Sequence, residues 1–203
     1  NSAIVNRGAY VIVEDCTLRA NYGRRGGAIA SYGGALSLNR TTLSDNFAET
    51  FGGNDEGLGG GLYAIDTTVH VEASRISSNY AEALGGGLYV AVADPNLLLV
   101  RGSLIDANVA VTQGGGAFMH ARSGPNSGVI NSTLSGNRSA RNAALWFDGG
   151  LVLNNSTISD NLSVFAETPG ICPGLCGAGD RGELWLNSTL VSGNRDVYGN
   201  GYD

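Results

Sequence analysis

Few side chains in this sequence have types and spacing suited to chemistry. Asp45, Asp106 and Asp160 stand on or beside a recurring Asn. Carboxylates projecting from adjacent repeats, with Arg, Lys or His nearby, would be the acid–base set of a polysaccharide-cleaving enzyme. The equivalent places elsewhere hold Ala20, Ser78, Gly136 and Gly193, and neither His70 nor His120 falls in the same columns. No catalytic residue is assigned on this pattern, which leans away from an enzyme. All 12 basic residues are Arg, so Schiff-base lysines and lysine-based lyase chemistry are excluded. Asn54, Asp55 and Glu56 offer clustered oxygens of the kind calcium takes, although a solvated acidic loop tip is the commoner explanation of such a cluster. Beyond calcium no cofactor is indicated. Cys172 and Cys176, in CPGLC, suit a local disulfide; two free thiols or a metal site are the alternatives, with no His at ligand spacing. A disulfide would fit an oxidising, extracytoplasmic location.

The aromatic residues are more orderly. Glycine-rich segments precede an apolar residue in GGAIA (26–30), GGGLY (59–63), GGGLY (85–89) and GGGAF (114–118), with weaker forms in NAALW (142–146) and GELW (182–185). If the apolar residue points inward, alternation sends the next one outward. That outward column is Ala30, Tyr63, Tyr89, Phe118, Trp146 and Trp185. Five stacked rings would stabilise a sheet by about 0.2–1 kcal/mol per pair, or offer a platform to a sugar ring or an apolar protein patch. A glycine ahead of such a strand is explained by a corner needing positive φ or by close approach of two backbones.

What would position these residues is a repeat. VEDCTLRAN (13–21), LNRTTLSDN (38–46), VEASRISSN (71–79), VRGSLIDAN (100–108), VINSTLSGN (129–137), LNNSTISDN (153–161) and LNSTLVSGN (186–194) share one register. An aliphatic residue is followed three places later by a small one, two later by a second aliphatic, and three later by Asn. The Asn column is Asn21, Asn46, Asn79, Asn108, Asn137, Asn161 and Asn194. The small column is Cys16, Thr41, Ser74, Ser103, Ser132, Ser156 and Thr189, which makes Cys16 a small inward residue. Successive Asn lie 25, 33, 29, 29, 24 and 33 residues apart. A fixed core with a variable period suits short strands coiled on themselves and carrying insertions at corners, since insertions within a helix would rotate its apolar face.

The expected fold is therefore all-β, a parallel β-helix of about seven coils, taken as right-handed from the general crossover preference. Residues 1–203 read as one domain with insertions at 47–61 and 162–183. Stacked Asn side chains would form a ladder satisfying the backbone of buried corners, with Asn itself tolerating the left-handed conformation there. Asn137 and Asn161 also lie in Asn-x-Ser/Thr triplets, but an inner ladder leaves no room for a glycan. Outward Thr17, Thr42, Thr133 and Thr157 are interrupted by Arg75, Leu104 and Leu190, which spoils an ice-binding array.

Composition agrees. Gly contributes 32 residues and charged residues only 15%, which disfavours surface helices, and a net charge of −6 disfavours nucleic acid. No apolar run approaches the 18 or so residues of a membrane span. The sequence starts inside a coil and stops soon after Asn194, so the native protein is expected to be longer, or the piece to self-associate end to end.

The glycine segments combined with strands ending x-S-x-N resemble the repeats of chlamydial polymorphic outer membrane proteins and of bacterial secreted right-handed β-helix proteins, including autotransporter passengers, from about Val11 to Asn194. That resemblance implies a secreted or cell-surface adhesin and carries over no catalytic residue. The expectation is a non-catalytic scaffold or adhesion module binding a glycan or a host or neighbouring surface protein, with Tyr63, Tyr89, Phe118, Trp146 and Trp185 as candidate contacts. The competing expectation is a polysaccharide lyase or glycoside hydrolase of the pectate-lyase-like β-helix type.

Overall fold

Four short strands separated by four corners make one turn of this chain, and the turns stack. The structure, a computed structural model, describes residues 2–52, 56–92, 97–121, 127–164, 173–177 and 183–198. Among these there is no helix. The chain winds a parallel β-solenoid of about six turns. Its strands fall into four sheets of seven, each strand pairing in parallel with its counterpart one turn away. The first sheet runs from Ile4–Arg7 to Leu175–Gly177, the second from Tyr10–Glu14 to Leu184–Asn187, the third from Thr17–Arg19 to Leu190–Ser192, and the fourth from Tyr22–Gly23 to Arg195–Asp196.

The repeat columns become physical stacks. Val13, Leu38, Val71, Val100, Val129, Leu153 and Leu186 pair in succession along the second sheet. Leu18, Leu43, Ile76, Ile105, Leu134, Ile158 and Val191 do so along the third. Together with Ile29, Leu62, Leu88 and Leu145 of the first sheet, most of these form one continuous apolar core. The expected insertions are not wholly loop: 47–61 contains the strand Phe47–Ala48, and 162–183 contains Leu162–Ser163 and Leu175–Gly177.

A left-handed residue opens every corner between the second and third sheets and between the third and fourth, but it is not the Asn. Ala20, Asp45, Ser78, Ala107, Gly136, Asp160 and Gly193 take φ of 54–66° immediately before the Asn column. One corner earlier, Asp15, Arg40, Ala73, Gly102, Asn131, Asn155 and Ser188 take φ of 46–55° immediately before the small column. The Asn side chain is thereby released to face the core. From Asn46 onward, each Asn accepts at Oδ1 from the backbone N–H and the Nδ2 of the Asn one turn before, as Asn108 does from Asn79 at 3.0 and 2.9 Å. Its own Nδ2 donates back to a carbonyl of the preceding turn, Ile76 for Asn108 at 2.9 Å. Five of the seven, Asn79 to Asn194, are completely buried, Asn137 and Asn161 among them, so neither can carry a glycan in this fold.

The small column is a second ladder that the sequence reading did not assign. The backbone N–H groups of Thr41, Ser74, Ser103 and Ser132 each donate to the hydroxyl one turn on, at 3.0–3.3 Å. Cys16, expected to be inward, is exposed in the outermost described turn; its thiol donates to the Glu14 carbonyl oxygen at 3.0 Å.

Candidate functional site

On the first sheet, alternation places Ile29, Leu62, Leu88, Ala117 and Leu145 in the core and the residue after each on the opposite, outer face. There Tyr63, Tyr89, Phe118 and Trp146 stack, with centroids 5.2, 5.2 and 4.2 Å apart and planes within 11° of parallel. Tyr32 joins the pile at a tilt, 5.6 Å from Tyr63. The expected column is therefore real for four of its five rings. Two of its rings present little surface, Tyr63 at 5% and Phe118 at 8% exposed, while Tyr89 and Trp146 are partly exposed. The rings spend their faces on one another, so most of this column supports the sheet.

Trp185 does not belong to it. It lies on the second sheet beside Val152, while the strand that continues the first sheet past Trp146 is Leu175–Gly177, which puts Cys176 next to that ring. Leu186, expected to turn inward after Trp185 on the first sheet, pairs with Leu153 on the second. Leu184–Leu186 carries the same apolar alternation as the glycine strands, and alternation alone does not say which sheet a strand joins. Distance along the chain does: the next ladder Asn follows Tyr63, Tyr89, Phe118 and Trp146 by 15–19 residues, but follows Trp185 by only 9.

The remaining candidates divide. Glu56 accepts from the Arg24 guanidinium at 3.2 Å and from the Phe51 backbone N–H at 2.8 Å; Asn54 and Asp55 lie outside the described residues. Cys172 lies outside them too, and with it the expected pairing to Cys176. Among the described residues no cluster of three or more His, Cys, Asp or Glu side chains is placed to hold a metal. Asp45 and Asp106 are occupied by cross-turn ion pairs with Arg19 and Arg75, both at 2.8 Å. Arg40 similarly bridges Glu14 and Asp15 at 2.7 Å, and its hydrogen bond holds the exposed Asp15 carboxyl below the usual carboxylate range.

Three arrangements were not read from the sequence. His120 and Asp148 sit side by side on the outer face, two residues beyond Phe118 and Trp146, with Nδ1 2.8 Å from Oδ2. A second aromatic stack, Tyr22, Phe47 and Tyr80, runs up the fourth sheet at 5.4 and 4.9 Å. Its signal was available, since each ring directly follows a ladder Asn. The third is a cleft of about 620 Å³ at the early end of the first sheet's outer face, lined by Val5, Arg7, Arg24, Arg25, Ala30 and Tyr32 among others. Arg7 lies over the Tyr32 ring at 5.4 Å and Arg25 against Tyr63 at 5.9 Å. No family model matches this chain, nor does any curated protein or solved structure.

Proposed function

We propose that this protein is a non-catalytic extracellular or cell-surface scaffold and adhesion module, whose solenoid holds a glycan or protein partner against the outer face of the first sheet. The observation that carries this reading is the cleft at 5–32, where guanidinium groups and aromatic rings gather beside a rigid stack. Recognition surfaces favour Arg and Tyr for the same reason: large contact area and directional donors at low entropic cost. The likeness of the repeats to those of secreted β-helix adhesins, polymorphic outer membrane proteins included, points the same way. A screen of glycans and cell surfaces with the labelled chain tests it. Saturable binding that weakens at least about fivefold in Tyr32→Ala and is unchanged in His70→Ala, an exposed control on the second sheet, is the expected result. Absence of saturable binding to any surface or glycan overturns it.

The second reading, a polysaccharide-active enzyme, is favoured by one observation. In the His120–Asp148 pair the carboxylate orients the imidazole as it would a general base. Release of reducing ends or unsaturated sugars from a polysaccharide panel, abolished in His120→Ala, would establish that reading and displace the first.

A further inference from the structure

The outer face of the fourth sheet is built in two unlike halves. Alternation turns Ala48, Ala81, Ala110 and Ser139 inward, where all four are buried, so the residues on either side of each face outward. On the first three turns that face carries the stack of Tyr22, Phe47 and Tyr80, with Glu49 and Glu82 beside it. On the last three it carries Arg138, Leu162 and Arg195, with Ala140 and Val164 beside them. Val109 and Val111 stand between the halves, on the fourth turn. Tyr22 and Val111 are each 48% exposed.

Charge is sorted in the same way. Elsewhere on the surface Arg and Asp pair across neighbouring turns, as Arg19 does with Asp45 and Arg75 with Asp106. Among the described residues Glu49, Glu82, Arg138 and Arg195 make no ion pair. Glu82 accepts from the Thr50 backbone N–H at 2.7 Å. Asp160, on the corner before Leu162, pairs with neither Arg, and Asp196 is turned inward and buried. Glu82 and Arg138 lie two turns, or about 9.6 Å, apart with Val109 between them, so the two signs do not meet within one chain.

We propose that this face docks a second copy of the chain, about a two-fold axis that runs along the strands through Val109 and Val111. Rotation about that axis keeps the strand direction and reverses the order of turns. Tyr80 and Glu82 then face Arg138 and Ala140, Phe47 faces Leu162, and Tyr22 faces Arg195. The acidic, aromatic half meets the cationic, aliphatic half twice, which is the self-complementarity a closed dimer needs. Docking with the turns in the same order would set Glu on Glu and Arg on Arg. A uniformly acidic or basic partner would satisfy one half and oppose the other. Six strand spacings make the face about 29 Å long, at the small end for a specific interface, so the dimer should form at tens of micromolar or above. This inference is independent of the adhesion reading, which concerns the first sheet.

Sedimentation velocity on the chain at about 5–500 µM tests it. The expected result is a monomer that passes to a dimer and no further as concentration rises, with association weakened by salt. Val111→Arg puts two like charges on the axis, and Arg138→Glu sets a carboxylate against Glu82. Each should raise the dissociation constant at least about tenfold. Adding Glu82→Arg to Arg138→Glu restores the pair with its signs exchanged and should recover most of the loss. All three side chains lie on the surface, and unchanged circular dichroism and melting temperature verify folding. A monomer across the whole range overturns the proposal. Dimers indifferent to both single substitutions overturn the face, and growth beyond the dimer overturns the two-fold, since end-to-end stacking does not close. Failure of the exchanged pair to recover, with both single variants weakened, overturns the reversed order of turns.

Discussion

A buried Asn is costly unless each of its polar atoms finds a partner, and stacking identical residues is how this protein supplies them. Asn108 accepts two hydrogen bonds at Oδ1, donates from Nδ2 to Ile76 and Asn137, and donates its backbone N–H to Asn137 Oδ1. Truncation to Ala therefore orphans several groups in a region closed to bulk solvent. At about 1–3 kcal/mol for each orphaned group, and with partial compensation by those still paired, Asn108→Ala should cost about 3 kcal/mol or more. Asn21 is only half-buried and its side chain only donates, to Asn46. Asn21→Ala should cost about 1 kcal/mol. Urea denaturation midpoints measure both, and equal losses would show that the ladder does not act as a connected stack. The Asn column was legible in the sequence because a side chain with one chemical task recurs in identical type. The left-handed residue before it was not: that position requires a backbone angle only, and Ala20, Asp45, Ser78 and Gly136 all supply it. The hydroxyl ladder was hidden in the same way, since Ser, Thr and Cys read as small before they read as hydrogen-bonding groups.

Corners and strands decide where the side chains end up, and the glycines divide between two tasks. Gly59, Gly85 and Gly114 have positive φ, and Asn142 takes over that role a turn later, at φ 58°. The glycines after them are there for proximity. A Cβ on Gly86 would press into the Gly115 carbonyl oxygen and the Val109 backbone, neither of which can yield without parting the turns. Gly86→Ala should thus cost about 3 kcal/mol, the upper end of overpacking. Gly102 has φ 55° but open space where a Cβ would go, and the equivalent corner one turn earlier already holds Ala73 at φ 47°. Gly102→Ala should cost about 1 kcal/mol, the usual penalty for left-handed geometry. Thermal melts of the two variants separate the roles, and similar losses would mean that crowding between turns is not what selects glycine. These segments were readable as corners, but the sheet that the following strand joins was not. The misplacement of Trp185 shows why: Leu-Trp-Leu satisfies the alternation of two different sheets, and only its position relative to Asn194 resolves them. The cleft was invisible for a further reason. It depends on Ala30 being smaller than its counterparts, and on corner residues brought over it by folding.

Across the whole molecule nearly every strand has partners one turn before and one turn after, and few contacts skip a turn. Stability in such an array is a sum of turn energies and nearest-neighbour couplings, so protection should depend on how many neighbours a turn has. Strand Leu104–Asp106 lies between Arg75–Ser77 and Thr133–Ser135, whereas Thr17–Arg19 and Leu190–Ser192 each have one partner. Burial of the inward column follows the same gradient: Ile105 is 1% exposed, whereas Leu18 and Val191 in the outer turns are only partly buried. Hydrogen exchange on the 203-residue chain should give opening free energies that rise from close to zero at the outer strands to the global value in the third, fourth and fifth turns. Ile105→Ala, removing a central core side chain at a cost of about 2–5 kcal/mol, should lower protection on both sides of the lesion. Leu18→Ala should lower it in the first two turns alone. Uniform protection across the chain, or a Leu18→Ala effect reaching the fifth turn, would mean that the solenoid opens as one cooperative unit. In that case the cleft at 5–32 would be as rigid as the centre. If the gradient holds, the cleft sits where turns open most readily, and an occupant held against the first two turns would raise protection there before anywhere else.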